Sequence, residues 1–383
     1  MQSDYQKHTN EKRMELIRQI AKELPKACGD FLRAISTTTS TLTRLAYAYD
    51  LRIFFTFLTT EMPQFDCTEM RNFADKDIDA ISQRDLEQYV EYLTMYYKNM
   101  ETENDEKLIS KPIYNHELGI MRKLSTLRSF FEYLFSSSRI TSNVTTLVPL
   151  PKLHAKPILR LEEKEIEKML AIVQSGDKLS SRQQKYQALT RLRDYAMLCL
   201  FLSTGIRVSE CVGINLDDID FSQNAFLVTR KGGNQVMLYF PQEVADALLA
   251  YIGERNHITP LPGHEEALFL SLQKRRITQR AVQNLVKKYA LLAAPLKKRI
   301  SPHKLRSTFG TNLYHETGDI YLVADVLGHA DVNTTRKHYA AMTEARRREA
   351  AQYVRLPEKK LGLGENGMEE EFEPGSSNHK RTR

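Results

Sequence analysis

The sequence predicts a mainly α-helical protein with one small antiparallel β-sheet, and three observations support this fold class. Apolar residues recur at spacings of three and four through much of the chain, which is the period of one helix face. Two β-rich runs flank a glycine pair within residues 225–240, the pattern of a hairpin. A stretch rich in serine, threonine and proline at residues 143–158 reads as a linker. We therefore expect a helical N-terminal domain followed by an α+β domain that carries the sheet.

The helical N-terminal half contains three stretches with the helical period, at residues 42–57, 86–97 and 124–134. Ser82 stands where a side chain can cap the second helix. The polar residues 101–110 predict a loop between the second and third helices. Cations of the third helix are expected on its outward face: Arg122, Lys123 and Arg128.

The C-terminal half is expected to mix helices with the hairpin. The hairpin turn falls at residues 231–234, where the glycine pair permits a tight reversal. The residues after Pro357 are polar and predicted to be disordered. Helices are predicted at residues 242–253, 278–292, 302–316 and 334–353. The chain accordingly divides into an N-terminal helix and extension (1–30), a helical domain (31–142), a linker (143–158), an α+β domain (159–356) and a polar tail (357–383).

Charge, cysteine spacing and hydropathy indicate which kinds of partner and compartment suit this protein. The chain has 383 residues, a net charge of +7 and a pI near 9.0, which suits a polyanionic partner without identifying one. The cysteines lack C-x-x-C spacing, so we expect small buried thiols rather than disulfides or a zinc site. They are Cys28, Cys67, Cys199 and Cys211. The N-terminus lacks the apolar core of a signal peptide, and no run approaches the roughly 18 apolar residues of a membrane span. We expect a cytoplasmic protein that does not enter a membrane.

Several separated stretches carry side chains that suit an anion. In "STGIRVSECV", Arg207 follows a glycine turn and Glu210 lies one helical turn later, so a carboxylate can orient the guanidinium. In "SPHKLRSTFG", His303 and Arg306 lie near the start of a helix that begins at Pro302. An imidazole and a guanidinium at a helix N-terminus suit one phosphate.

Two further stretches complete the set. Lys231 lies at the predicted hairpin tip, and "LGHADVNTTRKHYA" contains His329 after a glycine helix stop and Tyr339 on the following helix. Taken one at a time, residues of these types are more often a surface ion pair, a solvated turn lysine and a packing tyrosine. A metal site using His303, His329 and His338 is disfavoured, because there is no H-E-x-x-H spacing and the surroundings are cationic.

Together the residues offer cations, imidazoles and one hydroxyl nucleophile. Two arginines and a lysine can neutralise the charge that grows on a phosphodiester during attack, without a metal. A phenol has a pKa of about 10, so its attack needs this electrostatic help.

Taken in their order along the chain, the motifs resemble those of the tyrosine site-specific recombinase (phage integrase) family. The resemblance spans residues 36–352 and includes a helical segment similar to the family's core-site-binding domain. The compact two-domain layout looks most like the Xer-type members. The motif residues are Arg207 in a T-G-x-R-x-S-E box, Lys231 in the hairpin, His303 and Arg306 in H-x-x-R, His329 in L-G-H, and Tyr339.

The resemblance implies a covalent mechanism. Tyr339 would attack the scissile phosphate and form a 3′-phosphotyrosyl link, with Lys231 as the general acid for the leaving 5′-oxygen. Because the covalent link conserves the phosphodiester energy, neither ATP nor a metal or other cofactor would be required.

The same resemblance assigns the supporting residues. Arg207 and Arg306 would clamp the non-bridging oxygens of the phosphate. His303 and His329 would hydrogen-bond the phosphate and assist proton transfer. Glu210 would orient the neighbouring side chains and would not itself react.

The family's architecture and partners are implied in the same way. They are a helical (SAM-like) core-binding domain, an α+β catalytic domain of the DNA breaking-rejoining type, and a homotetramer on two paired sites in double-stranded DNA. A C-terminal helix within residues 343–356 would dock on a neighbouring subunit. Two alternatives stay open: a type IB topoisomerase-like enzyme that relaxes DNA as a monomer, and a non-catalytic architectural DNA-binding protein. The target sequence, and the choice between dimer resolution and integration or excision of a mobile element, do not follow from these motifs.

Overall fold

The described residues between positions 4 and 136 form helices and one β-hairpin. The computed structural model describes residues 4–65, 69–102, 105–152, 159–230, 233–328 and 332, with the side chains of residues 4–6 and 98–110 excepted. The N-terminal helices are α1 (Asp4–Glu23), α2 (Lys26–Ala34), α3 (Thr41–Glu61), α4 (Asp75–Asp79), α5 (Gln83–Thr94) and α6 (Glu117–Ser136). The helix expected over residues 1–30 is divided at Pro25, which precedes α2 and has no N–H to continue a helix.

Phenylalanine side chains fill the centre of this helical region. Phe54 and Phe55 of α3 and Phe130 of α6 have no exposed surface. Phe54 packs edge-to-face on Tyr89 of α5 with ring centroids 4.9 Å apart, a preferred arrangement for aromatic pairs. Ser82 caps α5 as expected, since its hydroxyl accepts from the Asp85 N–H at 3.3 Å.

The segment expected to be the end of a helix and a loop is instead an antiparallel hairpin, β1 (Met95–Thr102) and β2 (Asp105–Tyr114). The prediction of a helix to residue 97 and a loop at residues 101–110 is therefore wrong. Asn115 explains where α5 stops, because its side-chain N–H donates to the Leu93 carbonyl at 2.7 Å and its backbone N–H to that of Thr94 at 3.3 Å. Downstream residues thereby satisfy the terminal carbonyls of the helix.

Of the cations of α6 that were expected on its outward face, Arg122 is exposed, Arg128 is partly buried and Lys123 is buried. Lys123 is buried, and its ammonium donates to the Asn115 Oδ1 atom at 2.8 Å. Arg122 forms a bidentate pair with Asp50, and Arg128 donates to the Val148 carbonyl at 2.7 Å. Spacing along the helix could not show that all three side chains have partners on other segments.

The C-terminal region combines helices with a three-stranded antiparallel sheet in the order β3-β4-β5. The strands are β3 (Ile219–Asp220), β4 (Ala225–Thr229) and β5 (Gln235–Tyr239). Val228 pairs with Val236, and Thr229 with Gln235. The hairpin at the glycine pair is thus confirmed. The helices are α7 (Glu163–Ser175), α8 (Ser181–Ala188), α9 (Arg191–Thr204), α10 (Val208–Gly213), α11 (Gln242–Arg255), α12 (Gln279–Ala293), α13 (Pro302–Thr317) and α14 (Ile320–Leu327).

A second apolar cluster, separate from the phenylalanine-rich one, holds these elements together. The helix α9 lies within it and packs on α7, α11 and α13. Phe201 of α9 has no exposed surface, and Leu305 brings α13 into the same cluster. The helices predicted at residues 242–253, 278–292 and 302–316 are present with slightly different ends, whereas the one at residues 334–353 lies outside the described residues.

The cysteines that the structure describes are buried free thiols, as expected: Cys28, Cys199 and Cys211. Burial raises the pKa of the Cys199 thiol to about 11. Cys67 lies outside the described residues. None of the helices in the described part of the chain is both long enough and apolar enough to cross a membrane.

Candidate active site

The turn between α9 and α10 positions Arg207. The helix α9 ends at Gly205, whose φ of 61° is in the left-handed region, and Arg207 occupies the N-cap position of α10. Glu210, one turn into α10, accepts from the Arg207 backbone N–H at 2.9 Å and from its Nη1 at 2.8 Å. The backbone hydrogen bond holds the Glu210 carboxylate in place, and the charged hydrogen bond from Nη1 orients the guanidinium. The expected contact between the two side chains is present.

Glu210 is the buried member of this ion pair. Its side chain is 4% exposed, whereas that of Arg207 is 34% exposed. The Glu210 carboxylate therefore contacts the guanidinium on its buried side, and part of the guanidinium remains exposed to solvent. This is the arrangement required of an arginine that binds an anionic ligand.

Arg306 approaches the same place from α13. Its residue surface is 6% exposed, and its Nη1 donates to the Gly205 carbonyl at 2.5 Å while its Nη2 donates to that of Leu327. Arg207 in turn donates from Nη2 to the Gly328 carbonyl at 3.0 Å. Two guanidinium groups from distant parts of the chain thus meet at consecutive carbonyls where α14 ends.

A third arginine, which the sequence motifs did not indicate, joins them. Arg230 follows β4, and its Nη2 donates to the Val326 carbonyl at 2.7 Å and its Nη1 to that of Asp325 at 3.3 Å. Burial lowers the pKa of the Arg230 guanidinium, and the nearby charge of Arg207 lowers it further, against the opposing effect of Glu210. In the sequence Arg230 is visible only as a second cation next to Lys231 at the hairpin. That position does not indicate the contacts with α14.

The three guanidinium groups therefore cap the end of one helix. The last carbonyls of an α-helix have no partner within the helix and carry its negative end. Here the carbonyls of four consecutive residues, from Asp325 to Gly328, each accept from an arginine. We call this set, consisting of Arg207, Arg230 and Arg306 at the end of α14, the arginine cluster.

Of the other motif residues, the structure describes His303 but not Lys231, His329 or Tyr339. His303 lies on α13 one turn before Arg306 and is exposed. Lys231, His329 and Tyr339 lie outside the described residues; Lys231 directly follows Arg230, and His329 directly follows Gly328. The structure thus brings together Arg207, Glu210 and Arg306. Among the described residues, no three His, Cys, Asp or Glu side chains are grouped to hold a metal ion.

Comparison with known proteins assigns the chain to a family. The profile of the phage integrase family matches residues 159–346. The tyrosine recombinase XerC of Caldanaerobacter subterraneus subsp. tengcongensis is 34% identical over 352 residues, covering 88% of this chain and 89% of the relative. That of Psychromonas ingrahamii is 34% identical over 262 residues, covering 66% of this chain and 82% of the relative.

Solved structures share the fold at lower identity. The XerH site-specific recombinase bound to palindromic difH substrate has a TM-score of 0.57 and 19% identity, covering 80% of each chain. The Tn1549 transposon integrase in complex with circular intermediate DNA has a TM-score of 0.58 and 20% identity, covering 85% of this chain and 99% of that one. Because the first XerC relative aligns along most of its length at 34% identity, this chain belongs to the phage integrase family and is a tyrosine recombinase.

Proposed function

We propose that this tyrosine recombinase catalyses site-specific recombination of double-stranded DNA through a 3′-phosphotyrosyl intermediate. The observation that carries the proposal is the meeting of Arg207 and Arg306 at one helix end, with Glu210 buried behind the first of them. Two adjacent guanidinium groups can bind both non-bridging oxygens of a phosphodiester and stabilise the charge that grows there during attack.

In the proposed reaction the Tyr339 oxygen forms a bond to phosphorus as the bond from phosphorus to the 5′-oxygen breaks. Lys231 gives a proton to that leaving oxygen, and His303 and His329 hydrogen-bond the phosphate and assist the transfer from the phenol. A 5′-hydroxyl of a partner strand then attacks the phosphotyrosine and releases the enzyme. Each step exchanges one phosphodiester bond for another, so the mechanism consumes no ATP.

We further propose the domain roles and the assembly. Residues 31–142 would bind the core site, residues 143–158 would link, and residues 159–356 would carry the chemistry. The XerH and Tn1549 structures named above are complexes with DNA, which supports duplex DNA as the substrate. A homotetramer on two paired sites, with a C-terminal helix docking between subunits, would provide the partner strands.

The first test is the variant Tyr339→Phe. A binding site is first selected from randomised duplexes with this variant, because it should bind without cleaving. Nicked duplexes carrying the selected site then trap covalent adducts that denaturing gels resolve. Wild-type protein should form adducts, whereas Tyr339→Phe should form none at unchanged affinity, since no other hydroxyl replaces the nucleophile.

Tyr321→Phe is the matched control, because Tyr321 is 72% exposed on α14 and should cleave like wild type. Adducts formed by Tyr339→Phe would contradict the nucleophile assignment. Exchange between two sites would distinguish a recombinase from a topoisomerase-like enzyme, which would relax any supercoiled plasmid. Binding without cleavage by the wild type would favour the architectural alternative.

A further inference from the structure

Arg230 lies one residue before Lys231 and contacts the helix end where Arg207 and Arg306 meet. We propose that Arg230 is a positioning residue: it ties the end of β4 to the last turn of α14 and so fixes the point in the chain from which the next residue, Lys231, acts. This inference rests on the function proposed above, in which Lys231 protonates the leaving oxygen.

Backbone hydrogen bonds fix the β4 side of this tie. The Arg230 N–H donates to the Asn234 carbonyl at 2.8 Å, and the Arg230 carbonyl accepts from the Gly233 N–H at 3.1 Å. The preceding strand is anchored in the core by Val228, which is 3% exposed. The Arg230 backbone is thus held by the sheet on one side and by its hydrogen bonds with Gly233 and Asn234 on the other.

The Arg230 guanidinium forms the contact with α14. Its two hydrogen bonds reach the carbonyls of Val326 and Asp325, and the group lies close against Gly328. A Cβ atom at residue 328 would overlap the Arg230 guanidinium, and the φ of 59° at Gly328 is one that glycine adopts without strain. Glycine is therefore needed for the arginine to approach the helix end this closely.

The burial of the Arg230 side chain also has a cost. The Arg230 Nε atom is buried and has no hydrogen-bond partner in the part of the chain that the structure describes. A buried donor without a partner is destabilising, and Arg207 adds like-charge repulsion, against the attraction of Glu210 and Asp325. The hydrogen bonds to the helix end therefore hold the side chain in this position.

A planar guanidinium also suits the task better than an ammonium. It donates to two neighbouring carbonyls at once, which fixes direction as well as distance, whereas a lysine offers a point charge on a flexible chain. Arg230→Lys should therefore retain part of the function, and Arg230→Ala little of it.

The test compares two nicked duplexes in single-turnover cleavage, one with the normal 5′-oxygen at the scissile bond and one with sulfur in its place. A thiol has a pKa of about 8.5 and leaves without a general acid. If Arg230 acts through Lys231, Arg230→Ala should slow cleavage of the oxygen duplex by about 10²-fold, the loss typical of a catalytic group misplaced by about 1 Å. The sulfur duplex should be cleaved at nearly the wild-type rate.

Reference variants show which cleavage rates on the two duplexes each kind of defect should give. Lys231→Ala should show the same recovery on sulfur, and Arg207→Ala should stay slow on both duplexes because it removes phosphate binding. Arg182→Ala, which removes an exposed charge from α8, should cleave both like wild type. Arg230→Lys, expected to fall between wild type and Arg230→Ala, keeps the test valid if the alanine variant does not fold.

Equal losses on the two duplexes, or no loss on the oxygen duplex, would overturn the positioning role of Arg230. These outcomes are distinct from a failure of the proposed function itself. In that case wild-type protein would form no covalent adduct with either duplex.

Discussion

Gly205 shows how one residue shapes the candidate site. Its carbonyl accepts from Arg306, and its φ of 61° turns the chain from α9 toward Arg207. A Cβ at this position would overlap the Phe309 ring of α13 and would lie 3.0 Å from a methyl group of Leu327. Conformation and packing therefore both require glycine at this turn.

Gly205→Ala should lower the free energy of unfolding by about 2–4 kcal/mol, the sum of a left-handed alanine and an overpacked contact. Urea titration followed by circular dichroism measures the change. Gly253→Ala is the matched control, because Gly253 lies in α11 with no atom within 4 Å of the added Cβ. That variant should be neutral or up to about 1 kcal/mol more stable. Equal behaviour of the two variants would refute the steric requirement.

At the scale of elements, the contact between α3 and α6 depends on a buried carboxylate. The Asp50 side chain is 1% exposed, and it accepts from both terminal nitrogens of Arg122 and from the Thr126 hydroxyl at 2.8 Å. A carboxylate without these partners would be a charge buried in an apolar helix interface.

Arg122→Ala should therefore destabilise the protein by about 2–4 kcal/mol, somewhat below the usual cost of breaking a buried pair because Arg122 is itself half exposed. Thermal and urea unfolding would measure the loss. Arg71→Ala, which breaks the exposed pair of Arg71 with Glu69, should change stability by less than about 1 kcal/mol. A small effect of Arg122→Ala would mean that Thr126 and water satisfy Asp50 without the arginine.

The two ends of α5 show which helix boundaries can be predicted from the sequence. Ser82 and Asp85 bond within four residues, so the start of α5 could be predicted from its sequence. The end of the same helix could not, because it depends on Asn115, which is 22 residues away from Leu93. Helix starts that are capped by their own side chains are local features, and helix ends satisfied by other segments are not.

At the scale of the whole molecule, the net charge of +7 should govern association with the proposed DNA substrate. Each phosphate that a cation neutralises releases counterions, so the logarithm of the association constant falls by about 0.9 per contact for each unit of log salt. For about 6–10 contacts the affinity should fall by about 10³–10⁵ between roughly 50 and 200 mM salt.

Fluorescence anisotropy with a labelled duplex across this range would measure the slope. Arg207→Ala should reduce the magnitude of the slope by about one, because it removes one phosphate contact. A slope near zero for wild-type protein would contradict a binding mode dominated by the DNA backbone.

Much of the candidate site follows from the sequence because its signals are short. The box around Arg207 places Glu210 one turn away, and an α-helix makes residues three apart neighbours whatever surrounds them. The glycine pair after Lys231 predicted the β4–β5 hairpin, since turn geometry depends on a few adjacent residues.

The arginine cluster depends on the tertiary structure alone. Arg306 reaches a carbonyl 101 residues away, Arg207 one that is 121 residues away, and Arg230 one that is 96 residues away. Helical and hairpin periods arise from local hydrogen bonds and are visible in the chain itself. Contacts over such separations arise from how the whole core packs, which is why the motifs indicated Arg207 and Arg306 while Arg230 emerged only from the fold.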